Sequence, residues 1–152
     1  MFFSIIIPFY NSEKTLSKTL EKLRGQKKNF ELILVNDLST DRSIQIANNY
    51  RKLFKNFKII NNTKNLGVSL SRNKGIKYSN GKYIIFLDSD DYLYPNSLEN
   101  LEIHIKKFRY PEVIFTKFSK DTFPKNNLSI LKKCFKKDKD YFFNHVLINK
   151  IP

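Results

Sequence analysis

Short apolar runs alternate with helix-spaced apolar stripes along most of this chain. Phe3 to Pro8, Glu31 to Val35, Phe57 to Ile60, Tyr83 to Leu87 and Val113 to Phe115 are rich in β-branched and aromatic residues and read as strands. Between the first two, Leu16, Leu20 and Leu23 share one helical face that ends near Gly25, with Asn11 or Ser12 placed to cap it. Ile44, Ala47 and Tyr50 or Arg51 mark a second helix, and Val68, Arg72 and Ile76 a third. Leu98, Leu101, Ile105 and Phe108 mark a fourth, opening near Pro95. Strands alternating with short helices predict an α/β fold with a mostly parallel, doubly wound sheet. Beyond Phe118 the pattern fades, which divides the chain into residues 1–118 and a segment, 119–152, that the periodicity does not explain.

Composition narrows the class. A chain of 152 residues with 41% apolar content, 14 Phe and 8 Tyr can bury a real core as one domain. The single cysteine, Cys134, rules out an internal disulfide framework and fits a reducing compartment. The opening Met-Phe-Phe-Ser-Ile-Ile-Ile has no basic stretch before it and is broken by Pro8, so it does not read as a signal peptide. No apolar stretch reaches the ~20 residues needed to span a bilayer. The expected location is cytoplasmic.

The net charge is +14, and half of it falls in residues 101–152. Lys132, Lys133, Lys136, Lys137 and Lys139 lie there among Leu131, Phe135, Tyr141, Phe142 and Phe143, a mixture suited to peripheral contact with an anionic membrane. An equal alternative is that the aromatics complete the core while the lysines face water. Nucleic-acid binding rests on charge alone, with no recognition motif to support it.

The chemistry concentrates where strands end. Tyr83-Ile84-Ile85-Phe86-Leu87 runs straight into Asp88-Ser89-Asp90-Asp91. In an open α/β sheet the C-terminal strand ends form the ligand crevice. Crowded carboxylates repel, and Mg²⁺ or Mn²⁺ relieves that repulsion while taking further oxygens from a substrate phosphate. Pro8-Phe9-Tyr10-Asn11 and Asn36-Asp37 end two other strands on the same edge. Tyr10 can stack on a nucleobase, and Asp37 can accept from a base N–H or a ribose hydroxyl. Each feature also has a plainer role: Pro8 and Tyr10 as a strand end, Thr40 or Asp41 as a helix cap, and Asp91 as a helix-side carboxylate. His104 reads as a surface or boundary histidine, and Cys134 lacks a base partner.

Four blocks, taken together, resemble family 2 glycosyltransferases: Ser4 to Asn11, Leu34 to Asp41, Asn65 to Gly75 and Gly81 to Asp91, in the family's order and spacing. The resemblance covers residues 2–118 and implies a GT-A fold, a Rossmann-like sheet flanked by helices. It implies a nucleotide-diphospho-sugar donor, with UDP-sugar favoured, and a glycan or lipid-linked acceptor. It also implies Mg²⁺ or Mn²⁺ as cofactor and inversion at the anomeric carbon. Carried over by position, Pro8 and Tyr10 border the nucleobase with Glu13 nearby, Asp37 reads the base and Arg72 flanks the nucleotide. Asp88 faces the ribose or donor sugar, and Asp90 is the metal ligand.

One departure stands out. Inverting transfer needs a general base, in this family a carboxylate well past the D-x-D. After residue 112 only Asp121, Asp138 and Asp140 are acidic, and none sits in an acidic pair, so no base is named. The segment 119–152 therefore reads as an abbreviated acceptor half or a truncation. Two functional classes follow: an active transferase, or a non-catalytic remnant that binds nucleotide-sugar or a partner protein.

Overall fold

A computed structural model describes residues 1–111 and the backbone of residues 113–115 and 146–149. Its elements run β1 (Phe3–Phe9), α1 (Leu16–Arg24), β2 (Phe30–Asn36), α2 (Ser43–Asn49), β3 (Phe57–Asn61), α3 (Val68–Lys77), β4 (Tyr83–Phe86), α4 (Ser97–Lys107), β5 (Val113–Phe115) and β6 (Val146–Asn149). The sheet order is β3-β2-β1-β4-β6-β5. The first four strands are mutually parallel, with Ile5 opposite both Leu32 and Ile85. β6 enters antiparallel between β4 and β5, so the C-terminal segment contributes a strand that the sequence pattern did not reveal.

Both faces of the central strands are covered, which is why they read as continuous apolar runs rather than alternating ones. The strand period of two still sorts their side chains. Phe3, Ile5, Ile7 and Phe9 join Leu32, Leu34 and Ile85 in a core shared with Leu16, Leu20 and Leu23 of α1, Ala47 of α2, and Leu98, Leu101 and Ile105 of α4. Ile6, Ile33, Val35, Ile84 and Phe86 face the other way, where Ile76 of α3 packs. Gly75 lets α3 lie directly on β1, because a Cβ there would come within 2.4 Å of Ile6 Cγ2.

Helix starts differ from the sequence expectation. α1 begins at Leu16 with no side-chain cap; the carbonyl of Ser12, not its hydroxyl, accepts from the Thr15 and Leu16 amides. α4 opens two residues past Pro95, at Ser97, behind a left-handed Asn96. The N-cap of α2 is Arg42, without a side-chain cap; Asp41, one residue before it, accepts at Oδ1 from the Ser43 amide at 2.9 Å. Burial opposes the charge on Asp41, but bonds from Ser43 and the Glu13 amide outweigh it and lower the pKa.

The N-terminal edge of the sheet is closed by a polar knot around Glu31, which is 2% exposed. Its Oε2 accepts from Ser4 Oγ at 2.6 Å and the Asn80 amide at 2.7 Å. Its Oε1 accepts from Lys58 Nζ at 2.8 Å and Asn80 Nδ2 at 3.0 Å. Burial alone would raise the pKa; the Lys58, Ser4 and Asn80 bonds overcome it and hold the carboxyl at about 2.

Candidate functional site

At the opposite edge the period of two decides which residues meet. Pro8, Asp37 and Asp88 continue the series of Ile6, Val35 and Phe86, which face α3. Asp37 and Asp88 accordingly bond to the α3 region. β1 and β4 are neighbours, although two strands and three helices separate them in sequence, so this is where the chain switches sides and a crevice opens.

Asp37 is 4% exposed and its carboxylate is largely engaged by the protein itself. Oδ1 accepts from Asn62 Nδ2 and the Leu66 amide, each at 2.8 Å. Oδ2 accepts from the Gly67 amide at 2.8 Å, where Gly67 takes φ 80°, a conformation glycine adopts without strain. Burial would raise the Asp37 pKa, but the bonds from Leu66, Asn62 and Gly67 prevail and lower it. A carboxylate offers about four acceptor positions. The Ser71 hydroxyl also bonds to Asp37, so all four are engaged within the protein. Asn62 also donates to Ser71 Oγ at 2.9 Å, so β2, β3 and α3 meet in one bonded group. Asn61 and Asn62 were not singled out from the sequence, yet they close β3 at the same edge and the strand-end logic extends to them.

Arg72, the fifth residue of α3, is 8% exposed and donates from Nη2 to Asp88 Oδ1 at 2.5 Å. Its guanidinium lies 5.5 Å from the Phe86 ring centre, and its Nε is buried with no hydrogen-bond partner among the described residues. One Asp88 oxygen is thereby neutralised, while Asp90 is exposed. A hard-oxygen donor of this kind, beside a second carboxylate, suits Mg²⁺ or Mn²⁺ whose remaining ligands come from phosphate and water. Among the described residues, no three acidic, histidine or cysteine side chains form a dedicated cage. A metal at this pair of carboxylates would have to take its remaining ligands from phosphate and water.

The loops that carry these groups are cross-linked. Ser12 Oγ and Ser89 Oγ are 2.8 Å apart, and Thr19 Oγ1 donates to the Ser89 carbonyl at 2.9 Å, which fixes the Asp88–Asp91 turn to α1. The Ser12 amide donates to Ser43 Oγ at 2.7 Å. Pro8 is buried within β1, whereas Tyr10, just past it, is 50% exposed. Glu13 turns toward α2: its Oε2 accepts from the Arg42 amide at 3.2 Å, and with Arg42 and Ile46 it lines a groove of about 400 Å³. The Lys132–Lys139 cluster, Asp121, Asp138, Asp140, Cys134 and His145 lie outside the described residues. His104 sits on α4, its Nδ1 2.7 Å from the Asn100 carbonyl. No helix among the described residues is long and apolar enough to cross a membrane.

Comparison with known proteins gives the family and the fold. The model of the family described as "Glycosyl transferase family 2" matches residues 4–149. The chain is 46% identical over 94 residues to the poly(ribitol-phosphate) beta-glucosyltransferase of Bacillus spizizenii, which covers 59% of this chain and 15% of that protein. It is 41% identical over 99 residues to the putative glycosyltransferase EpsH of Bacillus subtilis, covering 64% of this chain and 28% of that protein. Its fold is similar to that of S. aureus TarS 1-349 in complex with UDP-GlcNAc, with TM-score 0.74 and 34% identity over 78% of this chain and 35% of that one. The chain thus spans less than a third of the length of these two curated relatives.

Proposed function

Because the chain belongs to glycosyl transferase family 2 and has the α/β architecture of its GT-A neighbours, we propose that it binds a nucleotide-diphospho-sugar and transfers the sugar to a glycan or lipid-linked acceptor. The observation that carries this reading is the shared edge of Tyr10, Asp37, Asp88 and Asp90. One aromatic is exposed, one buried carboxylate is held by the start of α3, and one exposed carboxylate stands beside an arginine-paired one. Similarity to a structure holding UDP-GlcNAc favours a UDP-sugar donor.

In this reading Tyr10 stacks on the base, Asp37 reads its edge, and Asp88, held by Arg72, meets the ribose or donor sugar. Asp90 would hold Mg²⁺ or Mn²⁺, which when bound would neutralise charge on the departing diphosphate. The buried Arg72 guanidinium adds positive charge behind Asp88. Inversion requires a base from the acceptor side. Glu102 does not serve, since Lys106 at 2.6 Å and Lys28 at 3.0 Å engage it and lower its pKa. The basic segment around Lys132–Lys139 either contacts an anionic membrane surface or faces water while its aromatics complete the core, and salt-sensitive co-sedimentation with anionic vesicles decides between the two.

Sugar release from UDP-, GDP- and dTDP-sugars, with and without Mn²⁺, tests the reading as a whole. Mn²⁺-stimulated turnover of a UDP-sugar is expected. UDP binding without turnover would reduce the protein to a nucleotide-sugar-binding domain, and no binding of any donor would overturn the reading.

A further inference from the structure

Leu38 occupies a conformation that a leucine adopts only at a cost. Its φ is 64°, in the left-handed region where a Cβ crowds the backbone, and its side chain is not buried but 46% exposed. Neither local preference nor core packing accounts for a leucine there. Glycine would take this backbone freely, and asparagine nearly so.

Its neighbours show what the cost maintains. The Asp37 amide donates to the Phe9 carbonyl at 2.9 Å, and the Asn11 amide donates to Ser39 Oγ at 3.1 Å. Tyr10 and Leu38 are each bracketed by these two cross-links, so they lie side by side at the ends of β1 and β2. The Thr40 amide closes the ring by donating to Asn11 Oδ1 at 2.9 Å, with Asn11 itself left-handed at φ 47°. The ring displays two large side chains, Tyr10 and Leu38, both about half exposed. Two exposed apolar side chains at neighbouring strand ends, one of them aromatic, offer a flat heterocycle a stacking surface.

We infer that Leu38 is a positioning residue for the donor's nucleobase, held in a strained backbone so that its side chain extends the Tyr10 stacking surface. This rests on the nucleotide-binding reading above and adds a residue, and a conformational cost, that the reading does not contain. Strain kept at a binding site is relieved when the side chain is lost, so stability and affinity must move in opposite directions.

The test uses Leu38→Gly and Leu38→Asn, both compatible with a left-handed backbone, and measures thermal midpoints together with calorimetry for UDP, uridine and Mn²⁺-pyrophosphate. Both variants should melt at or above the parent midpoint and bind UDP and uridine about five- to tenfold more weakly, as expected for losing a half-buried leucine contact. Pyrophosphate, which lacks a base, should bind all three proteins alike. Agreement between the glycine and asparagine variants separates lost apolar contact from added loop freedom. Unchanged uridine affinity in both, or a lowered midpoint in both, would overturn the inference. A parent that binds pyrophosphate but no nucleoside would remove the base-binding reading itself, and a parent that binds neither ligand would remove the donor site as a whole.

Discussion

The two edges of this sheet carry carboxylates under opposite conditions. At the N-terminal edge, Glu31 receives four bonds from Ser4, Lys58 and Asn80, which leaves it nothing further to accept. At the C-terminal edge, Asp88 shares one oxygen with Arg72 and Asp90 faces solvent. Both edges draw residues from at least three strands or strand-adjacent turns. What differs is whether the acceptors are used up within the protein. Saturated acceptors stabilise a fold, whereas unsaturated ones, on loops cross-linked to hold still, are available to a ligand.

The largest expected effect is at the saturated edge. Glu31→Gln removes a charge from a buried, fully bonded group and should destabilise the protein by about 3 kcal/mol at pH 7 by urea denaturation. UDP affinity of the folded fraction should be unchanged. The same carboxylate sets an acid limit. Its folded pKa, at about 2, lies below the ordinary 4.5, so its contribution is fully present above about pH 4.5 and is lost as the pH falls toward 2. The parent should lose about 3 kcal/mol across that window through this group, and the glutamine variant should lack that component. Parallel acid profiles for the two proteins would break the contrast between the edges.

Asp37 lies at the ligand edge yet is bonded as fully as Glu31, which sharpens the comparison. Asn at this position would present an amide to the Gly67 or Leu66 N–H, donor against donor, and should cost about 2 kcal/mol of stability. It should also weaken uridine binding with metal absent. A loss of stability with uridine binding intact would make Asp37 purely architectural, as Glu31 is.

Tyr10 gives the smallest effect, and one of a single kind. Tyr10→Ala should weaken uridine and UDP about tenfold, on the scale of roughly 1–3 kcal/mol for base stacking. Its melting midpoint should stay within a degree or two, because the ring is half exposed. A clear destabilisation would mean that the ring packs rather than binds.

The local pattern made legible whatever local chemistry decides. Phe3–Pro8, Leu34–Val35 and Ile84–Phe86 declare buried strands, and the strand that runs into Asp88 declares the edge of the crevice. Arrangements made by distant pairing stayed hidden. Glu31 looks like a polar residue opening a strand until Ser4, Lys58 and Asn80 converge on it from 27, 27 and 49 positions away. Asp37 looks free to read a base until the Leu66–Gly67 turn folds back onto it. β6 follows β5 only after a long interval and pairs antiparallel to β4, so no short-range periodicity announces it. Leu38 was hidden for a different reason: nothing in Asn-Asp-Leu-Ser says that the leucine is left-handed.

The most direct test of the open edge is Asp90. Calorimetry of UDP with and without Mn²⁺, on the parent and on Asp90→Asn, compares metal-assisted binding in two proteins that differ by one exposed carboxylate. The parent should bind UDP more tightly when Mn²⁺ is present. The variant should melt as the parent does and bind UDP with an affinity that Mn²⁺ no longer improves. Equal Mn²⁺ enhancement in both proteins would contradict the account.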